Sequence, residues 1–165
     1  MTILSDQNLQ HLTSDVANHL LARDWMLVTA ESCTGGWIAK CCTDIAGSST
    51  WFDRGFVTYS NQAKQDMLDV RAETLEQFGA VSEQTIKEMA QGALKHSNAN
   101  ISIAISGIAG PDGGSDEKPI GTVWFAWAKD TSTITACHYF SGNRDQVRRQ
   151  AVATALTGII KNARA

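Results

Sequence analysis

An apolar run at residues 25–28 passes directly into residues 29–36 (TAESCTGG), and a stretch compatible with a helix follows at residues 37–42. This order predicts a buried strand, a turn and a helix, with Ser32 at the turn. The first backbone N–H groups of a helix lack partners within the helix and carry partial positive charge. Two interpretations are open: Ser32 or Thr34 caps the helix, or the turn presents a nucleophilic serine or a phosphate site.

The rest of the chain continues to alternate between helical and strand patterns. Apolar periodicity predicts helices over residues 6–23, 34–43, 62–69, 82–95 and 143–162, with a turn or two at 73–78. Apolar runs bounded by turn residues predict strands over 25–30, 51–59, 101–106, 121–128 and 132–140. Ser5, Asn61 and Ser82 are the expected helix N-caps. We therefore predict an α/β fold over residues 1–165, a single-domain three-layer α/β/α sandwich with a mixed, mostly parallel sheet.

Composition narrows the classes of partner. The 165 residues are 43% hydrophobic, and 14 basic residues against 17 acidic residues give a net charge of -3. Because a basic surplus is missing, we expect no nucleic-acid partner. The first ten residues are polar and no apolar run approaches ~18 to 20 residues, so we expect no membrane partner and a cytoplasmic location. The four cysteines, Cys33, Cys41, Cys42 and Cys137, are expected to be reduced thiols.

A second candidate site follows the predicted strand at residues 101–106. Residues 107–115 contain more glycine than a simple connection needs, but no dinucleotide-binding or Walker motif. Both this glycine loop and Ser32 follow the carboxyl ends of strands, where open parallel sheets bind ligands, so they are expected to line one cleft. The loop either holds a ligand phosphate through its backbone N–H groups or is a surface loop with tight turns.

A nucleophilic serine needs a base, and the sequence favours a lysine over a histidine. The four histidines are poorly placed for a Ser-His-Asp triad: His11, His19, His96 and His138. Lys64 falls in the first turn of a predicted helix, where a cation is disfavoured by ~0.3 to 1 kcal/mol, which lowers its pKa. Burial or a neighbouring arginine such as Arg148 would lower this pKa further. The alternative is an exposed lysine.

Charged residues late in the chain allow similar alternatives. Arg144 and Arg148 are four residues apart in a predicted helix, so they share a face that can bind a phosphate. The same face can instead be solvated and paired with Asp145. The acidic residues between positions 112 and 117 match no ligand spacing, so no metal site is predicted. Cys33 is either a reactive thiol at a helix terminus or small filler.

Several motifs together carry a family resemblance. They are TAESCTGG at 29–36, YSN at 59–61 followed by Lys64, GAVS at 79–82, SGIAGP at 106–111 followed by two glycines, and KPIGTV at 118–123. Their residues and order resemble the CinA C-terminal domain family, specifically its stand-alone PncC-type members. The resemblance runs from the first predicted helix to the last.

The resemblance implies a nicotinamide-nucleotide amidase that hydrolyses nicotinamide mononucleotide (NMN) to nicotinate mononucleotide and ammonia in pyridine nucleotide recycling. It implies no metal and no organic cofactor, and it suggests a homodimer, for which the apolar strand at residues 124–127 is one candidate surface. By motif, Ser32 would be the nucleophile and Lys64 the general base, with Tyr59 and Arg148 as supports.

The remaining expected substrate contacts come from three places. The backbone N–H groups of Cys33, Thr34, Gly35 and Gly36 would stabilise the oxyanion. Asn61 would orient the ligand, and either the glycine loop, beginning at Ser106 and Gly107, or the Arg144 and Arg148 face would hold the 5′-phosphate.

Two non-catalytic alternatives remain open. One is an interaction protein tied to competence or DNA damage, and the other is a nucleotide-binding sensor that uses the same cleft without hydrolysis. Binding without turnover would identify the sensor, since a shared fold does not guarantee activity.

Overall fold

A computed structural model describes residues 4–164, and the ends of the predicted domain at residues 1–3 and 165 lie outside it. The strands of the described chain are β1 (Leu27–Glu31), β2 (Phe52–Val57), β3 (Ile101–Gly107), β4 (Thr122–Lys129) and β5 (Ser132–Tyr139). Its α-helices are α1 (Asp6–Leu21), α2 (Trp37–Thr43), α3 (Asn61–Leu68), α4 (Ala72–Phe78), α5 (Glu83–Lys95) and α6 (Arg144–Arg164). The predicted alternation of helices and strands is confirmed.

The strands form one sheet in the order β2-β1-β3-β4-β5. Strand β1 pairs in parallel with β2 and with β3, which makes β1-α2-β2 a β-α-β unit. The β3–β4 and β4–β5 pairs are antiparallel, so among the described strands only β4 opposes the common direction. The predicted mixed, mostly parallel sheet is confirmed.

Alternation along the central strands divides the core into two layers. Side chains of Leu27 and Ile103 pack on one face with α1, α2 and α6, while those of Val28 and Ala104 pack on the other with α3, α4 and α5. Successive side chains of a strand point to opposite faces, so each central strand supplies both layers. The three-layer α/β/α arrangement follows.

Local signals explain most helix starts. Ser5 and Ser82 accept backbone N–H bonds as the N-caps of α1 and α5, as predicted. The N-cap of α3 is Ser60, whose hydroxyl accepts from the Ala63 N–H at 3.0 Å, and Asn61 is the first helical residue instead. The expected Asn61 cap is therefore wrong by one position, because the side chain at position 60 reaches the free N–H groups first.

Strand β4 lies between β3 and β5, which bears on the suggested dimer surface. Phe125 and Ala126 are fully buried, and the Trp127 indole N–H donates to the Ala155 carbonyl at 3.1 Å. The apolar sequence of residues 124–127 is therefore explained by the core of one chain. Among the described helices, none combines the length and apolar character that crossing a membrane requires.

Candidate active site

A cavity of about 290 Å³ opens at the carboxyl ends of β1 and β3. Strand β1 continues into α2 on one face of the sheet and β2 continues into α3 on the other, and such divergence leaves a crevice at the strand ends. The cavity is lined by Ser32, Cys33, Tyr59, Lys64, Ala80, Val81, Ser106, Gly107, Ala109 and Arg144. The structure thus brings Ser32 and the start of the glycine loop into one cleft.

Ser32 and Lys64 meet inside this cavity. The Lys64 Nζ lies 3.0 Å from the Ser32 Oγ, and it also contacts the carbonyl oxygens of Thr58 at 2.7 Å and Tyr59 at 3.4 Å. Ser32 is 8% exposed and Lys64 is fully buried. The alternative of an exposed lysine is excluded.

Burial controls the charge of Lys64. Within residues 4–163 no carboxylate forms an ion pair with its amine. Loss of water around the ammonium lowers the pKa of Lys64 from 10.5 to about 8. The sequence predicted a lowered pKa from the helix terminus, with burial or Arg148 as a further cause, and in the structure burial is the main cause.

The three contacts of Lys64 fit both protonation states of its amine. A neutral amine has two N–H groups and one lone pair, and a carbonyl oxygen can only accept. The ammonium donates to all three oxygens, whereas a neutral amine whose N–H groups donate to the carbonyls of Thr58 and Tyr59 has its lone pair facing the Ser32 hydroxyl. The neutral form is therefore oriented to take a proton from Ser32.

Glu31 is the site residue that sequence reasoning missed. Its carboxylate is fully buried and accepts from the Thr34 hydroxyl at 2.7 Å and from the N–H groups of Gly36, Ile38 and Ala39 at 3.1, 3.0 and 2.8 Å. These donors belong to the turn after β1 and the first turn of α2. An acidic residue at the end of an otherwise apolar strand was the available signal, since buried carboxylates require donors.

This arrangement corrects two predictions about the turn. Helix α2 begins at Trp37, three residues later than predicted, because Gly35 and Gly36 have left-handed backbone at φ 61° and 95°. Neither Ser32 nor Thr34 caps α2, since the carboxylate of Glu31 satisfies its first N–H groups.

The same turn leaves fewer free N–H groups for the oxyanion than predicted. The Gly35 N–H donates to the Ser32 carbonyl at 3.1 Å, and the Gly36 N–H donates to Glu31. Both glycines are therefore occupied. Within the described residues, the N–H groups of Cys33 and Thr34 have no hydrogen-bond acceptor.

Arg148 and Arg144 have separate places. The Arg148 guanidinium donates to the carbonyls of Cys33 and Thr34, both at 3.0 Å, and lies over the Trp37 ring with its central carbon 5.2 Å from the ring centroid. It holds the turn from outside the cavity and does not line it. Arg144 lines the cavity and donates to the Gly110 carbonyl at 2.9 Å. The two arginines therefore do not share a face of the cavity, and phosphate binding by Arg144 stays a prediction.

The other predicted contacts divide between the cavity and the surface. Tyr59 lies at the cavity rim and is 64% exposed. Ser106 and Gly107 line the cavity, but Asn61 does not, and Gly113 and Gly114 lie outside it on an exposed part of the glycine loop. The loop is thus partly a cavity wall and partly a surface loop.

Cys33 lines the cavity as a protonated thiol. Burial raises its pKa to about 12, the reverse of an activated cysteine, so small filler is the better interpretation. All four cysteines are free, as predicted. In the described part of the chain, no group of three His, Cys, Asp or Glu residues is arranged to hold a metal ion.

Comparisons with known proteins extend these observations. The family model described as CinA C-terminal domain matches residues 9–163. The chain is 60% identical over 154 residues to the nicotinamide-nucleotide amidohydrolase PncC of Escherichia coli (strain K12), covering 93% of each chain. It is 45% identical over 150 residues to the protein of the same name from Pseudomonas putida, covering 91% and 94%.

A solved structure agrees with these sequence matches. The competence-damaged protein (CinA) superfamily protein of Klebsiella pneumoniae 700603 superposes with a TM-score of 0.92 at 46% identity, covering 96% of this chain and 99% of the other.

Proposed function

The chain belongs to the CinA C-terminal domain family and is an amidohydrolase, and we propose that it hydrolyses NMN to nicotinate mononucleotide and ammonia. The observation that carries this proposal is the buried Lys64 amine, 3.0 Å from the Ser32 Oγ and without a counterion among the described residues. Relatives named nicotinamide-nucleotide amidohydrolase, at 45% to 60% identity, support the choice of substrate.

The first half of the proposed reaction forms an ester. The Ser32 Oγ attacks the carboxamide carbon while the neutral Lys64 amine accepts the hydroxyl proton. The new C–O bond gives a tetrahedral intermediate with a negative oxygen. Its collapse breaks the C–N bond, and the Lys64 ammonium returns its proton to the leaving nitrogen, so that ammonia departs and an acyl-Ser32 ester remains.

The second half hydrolyses this ester. Lys64, again neutral, accepts a proton from a water molecule as the water oxygen bonds to the acyl carbon. Collapse of this intermediate breaks the bond to the Ser32 Oγ, which regains its proton from Lys64. Nicotinate mononucleotide is then released and the enzyme returns to its starting state.

Charge stabilisation and substrate binding use the remaining cavity groups. The N–H groups of Cys33 and Thr34 are the turn donors left for the oxyanion, since those of Gly35 and Gly36 are occupied. Arg144 is the candidate for the 5′-phosphate, because its guanidinium lines the cavity and, within the described residues, only one of its nitrogens is bonded. Ser106, which is buried and lines the cavity, is the candidate for orienting the nicotinamide ring.

Arg148 has a supporting role in this proposal. It fixes the carbonyls of Cys33 and Thr34, and so the direction of the adjacent N–H groups. The role in pyridine nucleotide recycling, independence of metal and organic cofactors, a cytoplasmic location and a homodimer stay predictions.

A substrate panel tests the proposed function. Purified protein is incubated with NMN, nicotinamide riboside and free nicotinamide, and the acids formed are measured by chromatography together with ammonia. We expect turnover with NMN to exceed turnover with the riboside. Equal activity on free nicotinamide would contradict the assignment of NMN as the substrate.

The Arg144→Ala variant tests the phosphate contact in the same assay. A charge-assisted hydrogen bond contributes about 1.5 to 3 kcal/mol, so KM for NMN should rise roughly 10- to 100-fold. KM for the riboside should stay nearly unchanged, because the riboside has no phosphate. Arg149→Ala is the matched control, since Arg149 pairs with Asp6 and does not line the cavity.

Binding without turnover is the outcome expected of the sensor alternative. It would appear as NMN affinity in calorimetry with no ammonia released. The lowered pKa of Lys64 favours hydrolysis over this alternative, because it increases the fraction of neutral amine that can accept a proton, and a site that only binds an anionic ligand gains nothing from a lowered pKa.

A further inference from the structure

We propose that Glu31 is a positioning residue for the reaction of Ser32, acting through the turn at residues 32–36. The inference rests on the proposed serine mechanism. Glu31 ends β1 immediately before Ser32, and its side chain is fully buried although it carries two acceptor oxygens. Such a group is expensive to bury unless each oxygen has donors, so its contacts define what it does.

All the donors come from the segment that follows Ser32. The Oε2 atom accepts from the Thr34 hydroxyl and from the Gly36 and Ile38 N–H groups, and Oε1 accepts from the Ala39 N–H. The carboxylate therefore ties the end of β1 to the start of α2 across the turn. Charge-assisted bonds of this kind are stronger and more directional than neutral ones.

Ser32 lies between the end of β1 and the start of α2, which the carboxylate of Glu31 connects. Its N–H donates to the Ile105 carbonyl of β3 at 3.0 Å, and its carbonyl accepts from the Gly35 N–H at 3.1 Å. With the backbone fixed on both sides, the Oγ can face Lys64 at 3.0 Å while its neighbour Cys33 turns its carbonyl to Arg148. Loss of the hydrogen bonds to Glu31 would allow the turn to move, and the turn sets the direction of the Ser32 Oγ.

Glu31 acts on geometry and not on the acidity of Lys64. Its contacts lie toward α2, on the face of the sheet opposite to α3. Burial lowers the pKa of Lys64, and Cys33 is the neighbour that opposes the shift, with no contribution from Glu31. A change at Glu31 should therefore alter the rate without moving the midpoint of the pH profile.

Glutamine is an informative substitution because it keeps the volume and removes one acceptor. Donors approach both oxygens of Glu31, so either placement of the amide directs its NH₂ group at a backbone N–H. The turn must then rearrange. Displacement of a reacting group by about 1 Å can reduce a rate about 10²-fold.

The experiment compares Glu31→Gln with the wild-type protein on NMN. We expect kcat to fall roughly 10- to 100-fold, KM to change less than about threefold and the pH midpoint to be unchanged. Ser5→Ala, which removes the exposed N-cap of α1, is the control for a loss of stability alone, and it should retain kcat. A Glu31→Gln variant with wild-type kcat would overturn the inference.

A fluorophosphonate probe, which reacts with activated serines, separates this inference from the choice of substrate. Slower labelling of Ser32 in Glu31→Gln supports the positioning role even if the wild-type protein proves inactive on NMN. A wild-type protein that neither hydrolyses NMN nor becomes labelled would overturn both proposals. Equal labelling of the two proteins would overturn the inference about Glu31 alone.

Thr34→Val covers the case in which Glu31→Gln does not fold. It removes the hydroxyl donor at 2.7 Å and leaves the carboxylate and the backbone of the turn in place. We expect kcat to fall several-fold with KM nearly unchanged. An unchanged kcat in this variant would overturn the inference.

Discussion

The proposed chemistry depends on one residue, Lys64, and on the state of its amine. A lysine side chain is seldom fully buried without an acidic partner, because its ammonium loses hydration that nothing replaces. The neighbours of Lys64 are two carbonyls and a hydroxyl, which can accept from the ammonium, and the hydroxyl can also donate to the neutral amine. In the proposed mechanism, the buried amine of Lys64 therefore replaces the histidine and aspartate of a serine triad.

Lys64→Met should remove activity while keeping the shape of the side chain. A general base contributes typically 10²- to 10⁴-fold, so kcat for NMN should fall by about that factor. The methionine fills the buried space, and the circular dichroism spectrum should match the wild-type spectrum. Retention of wild-type kcat by a folded Lys64→Met variant would rule out the base role.

The pH profile should follow the same amine. Only neutral Lys64 can accept the Ser32 proton, and burial lowers its pKa to about 8 from 10.5. Activity should therefore be low in acid, rise about tenfold per pH unit below the midpoint and level off above pH ~8. The measurement is kcat/KM for NMN between pH ~5.5 and ~9.5, and a flat profile between pH ~6 and ~9 would contradict it.

At the scale of the elements, periodicity and turn residues predicted most helices and strands. The start of α2 could not be predicted this way, since the local signals at Ser32 and Thr34 are those of a cap. The free N–H groups at the start of α2 donate to the carboxylate of Glu31, which lies at the end of a buried strand. The left-handed backbone of Gly35 and Gly36 and the contact of Glu31 with α2 together set the boundary, and local helix propensity does not report a contact between two elements.

Helix α3, which carries Lys64, depends on its contact with α5. A Cβ atom at Gly92 would lie 1.9 Å from the Leu68 carbonyl oxygen at the end of α3. Since a backbone carbonyl cannot move aside as a side chain can, Gly92→Ala should push the two helices apart. Overpacking of this kind costs about 1 to 3 kcal/mol, and the displaced α3 should also reduce kcat.

Denaturant unfolding and NMN turnover measure these two effects of Gly92→Ala. Gln91→Ala is the control, since Gln91 is exposed on the same helix and its change should stay within about 0.5 kcal/mol. A Gly92→Ala variant as stable as the wild-type protein would show that α3 and α5 are not held at this distance.

At the scale of the whole molecule, the sheet brings together residues that are far apart in the chain. Ser32 follows β1, Lys64 lies on α3, Ser106 ends β3 and Arg144 begins α6. The rule that ligands bind at the carboxyl ends of parallel strands predicted the first and third of these as neighbours. Its place at a predicted helix terminus and the family motifs both indicated Lys64.

The choice between the two arginines could not be made from spacing. Residues four apart share a helix face, but Arg148 turns to the carbonyls after Ser32 and Arg144 to the Gly110 carbonyl beside the cavity. The two guanidinium groups are separated because their carbonyl acceptors lie in different loops, and such long-range contacts cannot be inferred from sequence spacing. The predicted homodimer is also a property of the whole molecule, and it needs a surface other than the buried residues of β4.

Ammonia release from NMN by the wild-type protein and by Ser32→Ala, both in the presence of EDTA, tests the central claim most directly. The structure gives Ser32 no capping role, so the variant should fold normally. We predict metal-independent turnover by the wild-type protein and a loss of at least about 10³-fold in the variant. Equal turnover by the two proteins would show that Ser32 is not the nucleophile, and a folded wild-type protein without turnover would contradict the proposed hydrolysis of NMN.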